Sequence, residues 1–254
     1  MMSMRQGIGK WGNSEIGNER PEADLGRTMR MTKTQVMVEM KKAGTAQNRK
    51  IYAWHGASGE MFGVCFTKLR EMKKRIKTNQ ALAEALWDSE NVDARTLATL
   101  IADPGTFGKR ELDRWLREVH YYMLADMYVK EIVSESSHAR SRLEKWIDID
   151  HEWVGRAGWV LLTNMAIDPS SDLSDQELGG YLDRIEREIH EERNLTRDAM
   201  NSSLIAIGIR SKALKKSAVA VARRIGLVVV DHGETGCKTP EAIAYMGRAR
   251  DRKK

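Results

Sequence analysis

Cysteine, proline and long apolar runs are all scarce in this chain. Its two cysteines, Cys65 and Cys237, lie far apart and neither has a CxxC partner. That argues against a disulfide framework or a paired-cysteine zinc site and fits a reducing, cytoplasmic setting. His120, His138 and His151 lack metal-ligand spacing with another His or Cys, so no metal is expected. "VDHGETGCKTP" holds His232, Glu234 and Cys237, but its glycines read better as a turn before a terminal helix. No apolar run approaches the roughly 20 residues of a membrane span. The polar N-terminus also lacks the apolar core of a secretory signal. With only 4 prolines in 254 residues, few points interrupt helices. Period-2 alternation is rare; "LVVVDHG" alone looks like a strand, and it has no evident partner.

What is present is helical. Apolar residues at 41% and charged residues at 31% suit a soluble chain with a substantial core. Residues 1–30 are rich in Gly, Asn and charge without periodicity, and read as a disordered extension. Residues 31–254 read as about ten helices on short connections. "TKTQVMVEMKKAG" places Val36, Met37 and Met40 on one face and closes at Gly44, a C-cap position. "NVDARTLATLIADP" stops at Pro104. Trp87, Trp115, Trp146 and Trp159 each lie in an apolar helical stripe and are assigned to the core. "VDARTLATLIADP" and "WVGRAGWVLLTNMAIDP" share a small-residue start, an Arg, an apolar run and Asp-Pro; "MNSSLIAIGIRSK" resembles them loosely. Such weak self-similarity predicts an all-α, HEAT-like helical-repeat solenoid, each helical pair burying one face against its neighbours.

The net charge of +6 is a mild hint, and its distribution is a stronger one. "IRSKALKKSAVAVARR" carries Arg210, Lys212, Lys215 and Lys216 without an acid, whereas "DQELGGYLDRIEREIHEER" leans acidic. Segregation of this kind suits one cationic face. In "HYYMLADMYVKEI" a carboxylate, Asp126, sits inside an apolar stretch one turn after Tyr122. Residues four apart share a helix face. Asp126 therefore faces either water or a partner that wants negative charge, since an unpaired buried charge is costly.

Taken together, "FGVCFTKLREMKKRI", "LAEALWDSENVDARTLATLIADP", "YMLADMYVKEIV", "HEWVGRAGWVLLTNMA" and "CKTPEAIAYM" resemble the DNA alkylation repair family of HEAT-like glycosylases, the AlkC/AlkD group, over roughly residues 32–246. The resemblance implies a curved helical shell that grips double-stranded DNA containing alkylated bases. It also implies excision of N3- or N7-alkylated purines by a monofunctional DNA glycosylase, with no cofactor. A monomer is expected. The family's catalytic aspartate falls on Asp126 and its preceding aromatic on Tyr122. Its DNA-gripping arginine, within Trp-x-x-Arg, falls on Arg156, with Trp153 carried along as a core or groove-facing residue. A second family tryptophan falls near Ile209, where this chain is aliphatic.

An N-alkylated purine is cationic and already a good leaving group. What remains to be stabilised is the oxocarbenium-like sugar, a task for a carboxylate. Asp126 takes that role in this reading, and Tyr122 offers cation–π attraction of roughly 0.5–2 kcal/mol. Arg156 holds a phosphate, while Arg210, Lys212, Lys215 and Lys216 add salt-dependent grip. Each residue also has an ordinary use. Arg156 can pair with a carboxylate such as Glu152, Tyr122 can be a core aromatic, and the lysines can be a solvated face. The other functional reading is a non-catalytic HEAT-like scaffold that binds damaged or branched DNA through the same groove.

Overall fold

The computed structural model describes residues 31–251, and the expectation for residues 1–30 lies outside them. The described residues hold thirteen α-helices and no strand: α1 (Lys33–Ala43), α2 (Ala46–Trp54), α3 (Phe66–Ile76), α4 (Gln80–Trp87), α5 (Val92–Ile101), α6 (Lys109–Arg117), α7 (Tyr122–Tyr128), α8 (Ala139–Trp146), α9 (Glu152–Ile167), α10 (Asp175–Glu188), α11 (Asn194–Arg210), α12 (Lys212–Ile225) and α13 (Ala242–Asp251). "LVVVDHG" is an extended connection between α12 and α13, not a strand. With no neighbouring strand to take its N–H and C=O groups, it cannot form a ladder.

Local chemistry sets many of the boundaries. Thr32 and Ser174 close capping boxes with Gln35 and Glu177 at the starts of α1 and α10. Asn79, Asn91 and Ser211 cap α4, α5 and α12 by accepting from the amide three residues on. α5 ends at Ile101, and Pro104 opens a short 3-10 turn. Gly44 does terminate α1, but at an ordinary φ of −72°. Its requirement is space: a Cβ there would meet the carbonyl oxygen of Phe62 at 2.1 Å.

The helices stack as HEAT-like pairs. α5, α7, α9, α11 and α13 pack in succession as one row. α4, α8 and α10 back onto α5, α9 and α11, and α12 packs against α10, α11 and α13. α8 and α9 approach so closely at Gly158 that a Cβ would stand 2.7 Å from the Ile147 nitrogen. The four tryptophans assigned to the core are all buried, and Trp87 stacks on Trp115 at 3.9 Å. Asp93 is buried in α5 and accepts the amides of Phe62, Gly63 and Val64 at 2.6–3.0 Å. It thereby ties the segment after α2 to the row; burial pushes its carboxyl up, and the three amides oppose that.

α7 runs directly into a π-helical turn at Val129–Val133. The Ser134 hydroxyl and amide both donate to the Val129 carbonyl there. An inserted wide turn of this kind re-aims the side chains on either side of it. Asp126 lies on α7 just before it.

Candidate nucleic-acid site

Three helices of this row, α7, α9 and α11, meet at one place. α7 brings Tyr122 and Asp126, α9 brings Glu152, Trp153 and Arg156, and α11 brings Leu195 and Asp198. Arg156 is only 4% exposed. Its Nε and Nη2 donate to the two oxygens of Asp126 at 2.9 and 2.7 Å. Its Nη1 donates to Asp198 Oδ2 and to the Leu195 carbonyl, both at 2.9 Å. Four of the five guanidinium N–H groups are thus used inside the protein. Burial opposes the Arg156 charge, yet Asp126 and Asp198 more than offset it and hold the group above its ordinary value. Glu152, the carboxylate one turn before Arg156, accepts the Leu195 amide instead.

Asp126 is therefore not a bare carboxylate in a groove. Its side chain is 35% exposed, but both oxygens are engaged by a planar fork. The guanidinium also lies over the Tyr122 ring, 5.1 Å from its centroid. The Tyr122 hydroxyl shares a 2.5 Å hydrogen bond with His55 Nδ1, from the end of α2. Burial, with Cys237 nearby, pushes the Tyr122 phenol up to about 12. One ring face and the hydroxyl are thus occupied before any ligand arrives.

Beside this cluster lies an open cavity of about 690 Å³. Trp54 and His55 line it from α2, Tyr122 from α7, Trp153 from α9, Asp198 from α11, and His232 and Cys237 from the connection before α13. That connection is held across the start of α11. Asn194 Nδ2 donates to the Asp231 carbonyl at 2.7 Å, and the Asp231 amide donates back to Asn194 Oδ1 at 2.8 Å. Among the described residues no group of three His, Cys, Asp or Glu side chains is arranged to hold a metal.

The remaining sequence candidates separate. Ile209 lies at the far end of α11 and lines a different cavity with Ala166, Ile167 and Pro169. About 16 Å of helix rise separates it from Asp198, so it cannot face Tyr122. The residues of α11 that line the cavity beside Tyr122 are Asn194, Leu195 and Asp198, none of them aromatic. Arg210 is spent on structure: it donates to the carbonyls of Met165, Ala166, Asp168 and Leu173, closing the end of α9. Lys215 donates to the Met246 carbonyl at 2.7 Å. Lys212 and Lys216 are exposed on α12.

Trp54, His55 and Asp198 escape a reading of the sequence. α2 buries none of its residues, so it has no apolar stripe to announce it. The signal that was there is local: Thr45 caps α2 by accepting from the Asn48 amide.

Among the described residues no helix is long and apolar enough to cross a membrane. The chain is similar to two uncharacterised proteins, Lin0241 of Listeria innocua and Lmo0209 of Listeria monocytogenes. Each is 28% identical; the matches cover 87% and 88% of this chain and 99% and 100% of theirs. It is also similar to a solved structure described as "a new family of proteins related to the HEAT-like repeat DNA glycosylases with affinity for branched DNA structures". That match has a TM-score of 0.80 at 30% identity, and covers 88% of this chain and 95% of the other. The profile of the DNA alkylation repair enzyme family matches residues 36–246, and the chain belongs to that family.

Proposed function

We propose that this protein binds DNA where the duplex is interrupted, at branch points, without excising bases. The observation that carries this reading is the closed state of the Asp126 carboxylate. A group meant to face a developing sugar cation works best when its charge is free in the site. Here a buried arginine with two further protein partners takes both oxygens. Moving Arg156 aside would strand a cation in a site it fills, and such separations cost several kcal/mol. The aromatic partner is similarly engaged, by Arg156 and His55. The α11 side of the cavity, Asn194, Leu195 and Asp198, carries no aromatic ring. The affinity of the similar solved protein for branched DNA supports the same reading.

Base excision is the second reading, favoured by the partial exposure of the Asp126 side chain. In it the bond between the sugar and a cationic purine breaks, the bonding electrons leave with the base, and water adds to the sugar carbon. Asp126 stabilises the intermediate charge. Two assays separate the readings. Wild type and Asp126→Asn are incubated with methylated DNA and scored for free 7-methylguanine and 3-methyladenine, and both are titrated with branched and linear DNA. Binding to branched DNA in preference to linear DNA, with no base released, is the expected result. Release by wild type that is lost in Asp126→Asn would overturn it.

A further inference from the structure

The 690 Å³ cavity is of a size that takes a small organic group. Two of its walls are indoles that are not otherwise used. Trp54, the last residue of α2, is 52% exposed, and α2 fully buries none of its residues. Trp153 is half-buried on α9 and faces the same space. Tyr122, the aromatic singled out by the sequence, is covered on one face by Arg156 and tied at its hydroxyl to His55. The stacking surfaces left open in the cavity are therefore Trp54 and Trp153.

Charge then selects what enters. Glu152 and Asp231 line the interior, and Asp198 beside them is already paired with Arg156, so a phosphate is repelled from it. A nucleobase has no negative charge, and its amino and ring N–H donors meet acceptors there. Cations flank the lining residues in sequence instead. Lys50 lies one turn before Trp54 on the same face of α2, and Lys238 follows Cys237. Both are exposed. A backbone can thus run along the rim while its base turns inward. A base inside a duplex cannot do this, because both its faces are stacked and its edge is paired.

We propose that this cavity receives one unpaired nucleobase at a DNA branch, stacked on Trp54 and Trp153 with its flanking phosphates on Lys50 and Lys238. The proposal rests on the branch-binding reading above and names what is recognised at the branch. Stacking on an aromatic side chain tolerates every base, so the site reads the presence of an unpaired nucleotide rather than its identity.

The test uses three DNAs: a linear duplex, a fully paired three-way junction, and the same junction with one unpaired 2-aminopurine at the branch. Wild type is expected to bind the third most tightly and to quench the 2-aminopurine fluorescence. Trp54→Ala removes an exposed side chain, so the fold is retained, as a thermal melt would verify. It is expected to weaken binding to the third DNA by roughly five- to a hundredfold, leave the fully paired junction unchanged and abolish the quenching. Trp54→Phe restores most of both signals. If wild type binds junctions but Trp54→Ala holds the unpaired-nucleotide junction as tightly and quenches as well, this inference fails and the branch-binding reading survives. If wild type shows no preference for any junction, both fail.

Discussion

The carboxylate of Asp126 and the guanidinium of Arg156, 30 residues apart in sequence, meet as a two-point ion pair with Nε–Oδ1 and Nη2–Oδ2 distances of 2.9 and 2.7 Å. Asp198 takes a third side of the same guanidinium. This arrangement joins α7, α9 and α11 at the spot where a single free acid would otherwise stand, so it governs both stability and chemistry there.

Replacing Arg156 should be costly. Arg156→Met removes the cation and leaves Asp126 and Asp198 facing one another without a counter-charge. Loss of one partner from a buried ion pair costs about 3–5 kcal/mol. Water reaches Asp126 and Asp198, so the lower end is expected, about 3 kcal/mol. For a chain of this size that is a fall of about 6–12 °C in Tm. Arg156→Lys should recover only part of it, since an ammonium cannot span both oxygens of Asp126 and reach Asp198. A Tm for Arg156→Met within about 2 °C of wild type, in a thermal melt at neutral pH, would refute the network.

Asp113 makes an acid-sensitive joint between α6 and α8. It accepts from Arg142 at 2.8 Å, Lys145 at 2.7 Å and the Trp146 indole at 2.8 Å. Burial pushes its carboxyl up, but Lys145, Trp146 and Arg142 together outweigh burial and hold it below the ordinary carboxylate range. Its folded value thus lies below its unfolded value. The stabilisation is fully present above the unfolded value, about 3.9, and is lost as pH falls through the folded one. Urea unfolding from pH 7 down to about pH 2 should show this loss in wild type. Asp113→Asn should be about 1.5–3 kcal/mol less stable at neutral pH and should show a shallower acid limb. An unchanged acid limb in that variant would count against the assignment.

The basic stretch at the start of α12 should divide under mutation. Lys212 and Lys216 are exposed, and if they meet phosphates, Lys212→Ala with Lys216→Ala should lower the slope of log K against log salt by about 2 at unchanged Tm. Arg210→Ala should do the reverse, because Arg210 serves the carbonyls that end α9. A stability loss of about 1–3 kcal/mol is expected there, with little effect on the salt slope. Fluorescence anisotropy with duplex DNA at several salt concentrations, paired with thermal melts, checks both. The division is wrong if Arg210→Ala flattens the slope without lowering Tm.

The helices with apolar stripes were legible because burial imposes a 3.6-residue period on the sequence. Trp87, Trp115, Trp146 and Trp159 could be assigned to the core on that ground. α2 could not, since a helix that fully buries none of its residues leaves little such trace. Gly44 marked the right boundary for a reason the sequence does not carry: the closeness of Phe62, 18 residues on. Ile209 lies near the far end of α11 and lines another cavity, whereas Asn194, Leu195 and Asp198 at the start of α11 line the one beside Tyr122; which end of a helix meets a site is set by how the helices stack.

The sequence by itself determined the all-helical class, the repeat pairing, the four core tryptophans and the membership of Tyr122 and Asp126 in one helical face. All of these follow from spacing along the chain, where the helix geometry is fixed. Only the tertiary structure decided that Arg156 locks Asp126 and Asp198 together, that His55 holds Tyr122, and that Trp54 and Trp153 share a cavity. Those contacts join residues 30 to 67 positions apart or more. Their distances depend on how separate helices stack, which spacing within any one helix does not encode.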